Sequence, residues 1–223
     1  MKNKKGQLLS ILFWVLTLAD IIAIQFNLLD VHFFVKPLLI PVLMVLLVYS
    51  KVNSAGKGLL LIGLFFSFLG DVFLLYEYKN SMSFIFGLAS FLITHIYYII
   101  YFLKIKSVQT SLLRQQPWLA ALVAAYGCSL VMLLYPGLGD LKIPVIVYAA
   151  VICCMLLCSL HVFYKTGRPA NVYFITGALF FVISDSLLAV NKFLNPFPIA
   201  GVLIMFTYCA AQFFIVKGFI AKQ

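Results

Sequence analysis

Apolar stretches of about twenty residues, parted by short polar loops, fill this chain almost from end to end. That length is what a helix rising about 1.5 Å per residue needs to cross about 30 Å of hydrocarbon. The pattern predicts eight such helices, over residues 7–27, 33–50, 58–76, 83–103, 117–135, 143–164, 171–190 and 197–217. In lipid the backbone must satisfy its own hydrogen bonds, so the expected fold class is an all-α, polytopic transmembrane helix bundle. The whole of 1–223 reads as a single transmembrane domain. Composition agrees, with 65% hydrophobic and 10% charged residues against about 45–50% and about 25% in a soluble domain. A soluble globular protein, a disordered chain and a nucleic-acid-binding module are thereby excluded. The loops leave no room for a soluble domain, so any chemistry must lie among the helices or at their mouths.

The net charge of +10 is then topology rather than affinity for nucleic acid. Lys2, Lys4, Lys5, Lys51, Lys57, Lys104, Lys106, Arg114, Lys165, Arg168, Lys217 and Lys222 fall on one side of the predicted membrane. Lys79, Lys142 and Lys192 fall on the other, and Lys36 lies within the second span. By the positive-inside rule both termini are expected in the cytoplasm, with a bacterial inner membrane favoured over an endoplasmic reticulum. Asp20 interrupts the first span and no small-residue cleavage site ends it, so it reads as a retained helix and not a signal peptide. Cys128, Cys153, Cys154, Cys158 and Cys209 all lie in spans without a C-x-x-C spacing and read as small hydrophobes.

Spans three and seven resemble each other. Gly63–Asp71 and Gly177–Asp185 each place Gly eight residues before Asp, with a Phe-Phe pair between and a Leu-Leu pair after. A further glycine follows sixteen residues on, Gly87 and Gly201. Four spans separate the copies, so a duplication here would be a parallel 4+4 repeat; chance likeness between Leu/Phe-rich helices is the alternative.

A charge at the centre of a membrane costs at least about 2.5–3.5 kcal/mol, so each one inside a span needs a reason. Counted along the predicted helices, Asp71 and Asp185 lie about 7–8 Å from the non-cytoplasmic end, Asp20 about 10 Å and Lys36 about 5 Å. One ammonium cannot neutralise three carboxylates, so at least one is expected to keep its proton. A carboxylic acid that holds a proton near neutral pH suits a general acid and equally a proton-coupled transporter. Asp20 also reads as a hydrogen bonder between helices, and Lys36 as a side chain reaching back to the interface. Deeper lie His95 in span four, and Tyr208 and Gln212 one turn apart in span eight. Ser67 precedes Asp71 by a turn, Ser184 and Ser186 flank Asp185, and Asn191 follows at the mouth. No nucleophile elbow, zinc helix or phosphate-cradling loop is present in the sequence. His32, read as an outer-loop residue, cannot easily converge with His95 and His161, so no metal site and no cofactor are expected.

At these positions the sequence resembles the YhhN-type lysoplasmalogenase family of eight-span membrane proteins. The matching residues are Lys36-Pro37-Leu38, Ser67–Asp71, Gly87–Phe91 with His95 and Tyr98, Tyr148, Gly177–Ser186 with Asn191, and Thr207-Tyr208 with Ala211-Gln212. The likeness runs from about residue 30 to the end and leaves Asp20 outside it. It implies a hydrolase that cleaves the vinyl-ether bond of lysoplasmalogens, giving a fatty aldehyde and a glycerophospho-ethanolamine or -choline. The implied partners are a lysophospholipid substrate and membrane lipids. Vinyl ethers hydrolyse by protonation on carbon, followed by capture of an oxocarbenium ion by water. Two carboxyl groups can divide that work, as in glycosidases. Asp71 and Asp185 are expected as catalytic residues, with His95 or Tyr208 orienting water. Lys36, Ser67, Tyr98, Tyr148, Ser184, Asn191, Tyr208 and Gln212 are expected to bind substrate. A proton-coupled transporter or lipid transport protein built on the same carboxylates is the competing expectation.

Overall fold

The computed structural model describes residues 4–50, 52, 56–77, 79–106 and 109–222. Lys2 and Lys51, two of the cations counted above, lie outside the described residues. The helices are α1 (Lys4–Gln25), α2 (Leu29–Tyr49), α3 (Lys57–Leu75), α4 (Ser81–Leu103), the short α5 (Leu112–Gln115), α6 (Trp118–Leu134), α7 (Lys142–His161), α8 (Ala170–Phe193) and α9 (Ala200–Ala221). No strand occurs among the described residues. All of these helices except α5 are long and apolar enough to cross a membrane, which makes the chain an integral membrane protein of eight spans. The chain packs as two compact units, one up to Tyr98 and one from Ile99 to Lys222, so that the division falls inside α4.

In the first unit a tight turn sets the geometry of α1 against α2. Asn27 adopts a left-handed backbone with φ of 55°, which asparagine tolerates better than most residues. The Leu28 N–H reaches the Ala23 carbonyl at 2.8 Å and the Asn27 N–H reaches Ile24 at 3.2 Å, a Schellman closure of α1. The chain reverses at once into α2, which therefore starts a turn earlier than the sequence indicated and includes His32. This corrects the expectation that His32 belongs to a loop. The hairpin brings His32 Nδ1 to within 2.8 Å of Asp20 Oδ1, while Asp20 is 0% and His32 20% exposed. At the far end of α2, the Lys57 ammonium donates to the carbonyls of Val48 at 2.9 Å and Ser50 at 3.0 Å, satisfying groups that a helix end leaves unpaired. Pro37 and Pro41 lie inside α2, which continues through both.

In the second unit α9 is the most deeply buried helix and α8 lies along it. Small residues make the approach possible. A Cβ on Gly177 of α8 would come within 3.0 Å of the Ala211 carbonyl oxygen and the Ile215 backbone nitrogen of α9. Two 3-10 turns, Tyr135–Gly137 and Gly139–Leu141, carry the chain from α6 to α7. Gly137 backs directly onto the Phe193 carbonyl at the end of α8, where no side chain fits. A satellite core of Leu134, Leu138 and Val145 closes that end. Helix α8 runs three residues past its expected end, because Asn191 and Lys192 at a membrane surface do not force a helix to stop. Asp185 consequently lies eight residues before the end of α8, about 12 Å along its axis and not 7–8 Å.

Two stability outcomes follow. Gly177→Ala should lower the midpoint of thermal unfolding in detergent by an amount equivalent to about 1–3 kcal/mol, since the new methyl would meet the Ile215 side chain at 2.7 Å and the α9 backbone at 3.0 Å. Gly58→Ala, where nothing lies within 4 Å, should not. His32→Ala should destabilise by about 1–3 kcal/mol, because it leaves the buried Asp20 carboxyl without its imidazole partner, and adding Asp20→Asn should recover part of the loss. A double variant no more stable than His32→Ala would show that the pair contributes nothing.

Candidate active site

In the second unit the chemistry gathers around Asp185. Tyr148 of α7 is buried and turned toward α8, and its hydroxyl donates to Asp185 Oδ2 at 2.6 Å. That is a short O–H···O contact, with the carboxyl oxygen as acceptor. The next residue, Ser186, donates to the Val182 carbonyl one turn back at 2.6 Å. Its single proton is thus used, and the Tyr126 hydroxyl of α6 donates to Ser186 Oγ at 2.7 Å. Tyr126, Tyr148, Asp185 and Ser186 form the polar part of a cavity of about 40 Å³, otherwise lined by residues such as Val145, Ile152 and Val182. Such a space takes one or two waters. A lipid ligand needs several hundred Å³, so this cavity is a place for water beside the carboxylate and not for the whole substrate.

The other expected residues of this unit have separate work. Ser184 Oγ donates to the Ile204 carbonyl of α9 at 3.1 Å, tying the two helices together. Asn191 Oδ1 accepts the Phe197 N–H at 3.2 Å and anchors the loop between α8 and α9. Gln212 Nε2 lies 3.5 Å from the Tyr208 hydroxyl, on one buried face of α9, and Tyr208 meets Phe181 edge-on. The structure therefore joins Tyr148 to Asp185 and Gln212 to Tyr208.

In the first unit Asp71 is 2% exposed on α3, four residues before its end, with Ser67 fully buried one turn earlier. His95 of α4 is fully buried, and Lys36 of α2 is buried rather than held out at the surface. Tyr98 packs its ring against Gly63, where a Cβ would meet Tyr98 Cε1 at 2.7 Å. Thr94 Oγ1 donates to the Gly63 carbonyl at 3.0 Å. Gly63 and Gly177, the matched glycines of the two motifs, thus serve the same purpose, each letting the next long helix come close.

Sequence reasoning missed the Asp20–His32 pair. A buried aspartate in a span does demand a partner, and His32 lies one turn before Lys36 on the same helix face. Extending α2 by that turn would have exposed the pairing. Among the described residues no group of three His, Cys, Asp or Glu could hold a metal ion.

With this geometry in hand, comparison with known proteins gives a consistent result. The YhhN family model matches residues 31–219. Human lysoplasmalogenase TMEM86A is 35% identical over 159 residues, covering 69% of this chain and 62% of that protein. Human lysoplasmalogenase TMEM86B is 32% identical over 163 residues, covering 73% and 64%. A lysoplasmalogenase of Mycobacterium bovis (strain ATCC BAA-935 / AF2122/97) is 30% identical over 142 residues, covering 62% and 52%. The chain thus spans less than two thirds of the length of these relatives. No solved structure matches it. The family match begins at the helix that carries His32 and Lys36 and runs through the last span, and the chain belongs to the YhhN family.

Proposed function

We propose that this protein is a membrane hydrolase that cleaves the vinyl-ether bond of lysoplasmalogens, releasing a fatty aldehyde and the glycerophospho-alcohol. The observation that carries the reading is the Tyr148–Asp185 bond beside a water-sized cavity, in a chain whose named relatives are lysoplasmalogenases.

Proton transfer to the distal carbon of the enol ether gives an oxocarbenium ion. Water adds to the cationic carbon, and the resulting hemiacetal collapses to aldehyde and free glycerol hydroxyl. Asp185, already accepting from Tyr148, is assigned as the carboxylate that stays charged, stabilises the cation and orients water. Asp71, buried in the hydrocarbon-spanning part of α3, is assigned as the carboxyl that donates the proton. Lys36 is assigned to the substrate phosphate, His95 and Tyr208 to handling water, and Ser67 and Gln212 to the polar surroundings. Tyr98, Ser184 and Asn191 act through packing and loop anchoring, which their contacts favour. The substrate is a single-chain lysophospholipid that enters from the bilayer with its head at the interface. The charge distribution supports both termini in the cytoplasm, which puts the Asp185 end of α8 on the opposite side of the membrane.

Purified protein incubated with lysoplasmenyl-ethanolamine should release aldehyde, while acyl and alkyl lyso-lipids of equal chain length should not. Asp71→Asn and Asp185→Asn should each lower kcat by about 100-fold or more with the protein still folded. Full activity in both would overturn the mechanism. Tyr148→Phe should lower kcat by about tenfold with little change in KM, since it removes one bond to a group whose charge matters most in the transition state.

A further inference from the structure

The end of the second unit remote from Asp185 carries a feature that ether hydrolysis does not use. Where the short α5 packs on the last turn of α7, a pocket of about 580 Å³ opens, lined by Thr110, Ser111, Arg114, His161 and Lys165 among others. Ser111 caps α5 by accepting the Leu113 N–H at 3.1 Å, and buried Leu112 fixes α5 in place, so Arg114 is delivered from an anchored turn. Lys165 Nζ lies 2.7 Å from His161 Nε2. An ammonium only donates, so the imidazole accepts at Nε2 and keeps Nδ1 as a further donor. The Arg114 charge acts on the same ring.

The pocket therefore presents a guanidinium, an ammonium, an imidazole and hydroxyls, with no carboxylate in its lining. None is close by along the chain either. The only acidic residues of this unit are Asp140, before the opposite end of α7, and Asp185, fifteen residues into α8. Cationic groups held together without a counter-charge repel one another, and an anion that bridges them removes that cost. Trp118 and Tyr164 are exposed at the same end, as aromatic residues are at the headgroup level of a bilayer.

We propose that this pocket is a phosphate-binding site for the headgroup of an anionic phospholipid in the adjacent leaflet, distinct from the substrate. Distance separates the two roles. Tyr148 and His161 are thirteen residues apart on α7, about 20 Å. In a lysolipid only a few covalent bonds separate the ether oxygen from phosphorus. One molecule cannot reach Asp185 with its ether and this pocket with its phosphate.

The test compares wild-type protein with an Arg114→Gln/Lys165→Gln variant in detergent at fixed ionic strength. Each is titrated with short-chain phosphatidylglycerol, short-chain phosphatidylcholine or inorganic phosphate, following thermal unfolding and the phosphorus NMR signal. Phosphatidylglycerol should protect the wild type and bind the variant about ten- to thirtyfold more weakly, with phosphatidylcholine protecting neither. An Arg114→Lys/Lys165→Arg variant should retain binding, which guards against misfolding as the cause. Protection by inorganic phosphate alone, lost in the glutamine variant, would support the phosphate site with a soluble ligand. Equal binding by wild type and glutamine variant, or no protection by either anion, would overturn it. Aldehyde release at saturating lysoplasmenyl lipid should be the same in the glutamine variant and the wild type. A wild type that releases no aldehyde would sink the ether-hydrolase reading while leaving this one standing.

Discussion

A carboxyl group inside hydrocarbon must be paired, hydrogen-bonded or protonated, and most of what is distinctive in this protein follows from how its three intramembrane aspartates meet that demand. Asp20 takes an imidazole partner across a tight hairpin. Asp185 takes a tyrosine hydroxyl from the neighbouring helix. Asp71 is nearly sealed from solvent on α3. Three solutions to one electrostatic problem leave three groups of different chemical character. A carboxyl group held by an imidazole across a hairpin turn suits a structural role. A carboxyl group that accepts from a phenol is oriented by a neutral donor, which suits a group that must face a reacting atom. That difference is why the proposed chemistry is assigned to Asp185 and Asp71 and not to Asp20.

The spans were legible in the sequence because lipid allows so few alternatives. Eight apolar stretches had to be helices, and each was found within a few residues of its expected place. The failures are informative for the same reason. The apolar run of the second span reads from residue 33 and leaves His32 outside it, yet Asn27 reverses the chain so sharply that α2 begins at Leu29. Lys192 and Asn191 were taken to end the seventh span, but a long cationic side chain and a loop-anchoring amide are compatible with another helical turn at the interface. Polarity marks where a helix leaves the hydrocarbon. It does not mark where the helix stops.

Side-chain partnership was much less legible. The importance of Asp71 and Asp185 could be read from their recurrence at matched positions, and Tyr148 from family resemblance. That the Tyr148 hydroxyl meets Asp185 depends on the rotation of α7 against α8, which apolar periodicity does not specify in a helix that is hydrophobic on all sides. The glycines were a better guide than the pattern of charges. Gly63 and Gly177 stand where backbone or a buried ring leaves no room for a Cβ. Such contacts set helix rotation in lipid, where apolar burial alone gives no preference between one face and another.

The size of the cavity beside Asp185 bears on why a membrane interior would suit the proposed reaction. Vinyl-ether hydrolysis consumes one water for each bond broken, and an oxocarbenium ion is captured by any water that reaches it. A space of about 40 Å³ holds one or two waters beside the carboxyl group. The alkenyl chain of the proposed substrate would already be at home in the surrounding hydrocarbon, so no deep apolar tunnel is needed for it. What the proposed reaction needs from the protein is a fixed charge, a proton and a controlled water, and the Tyr148–Asp185 bond holds a carboxyl group beside a space that takes the last.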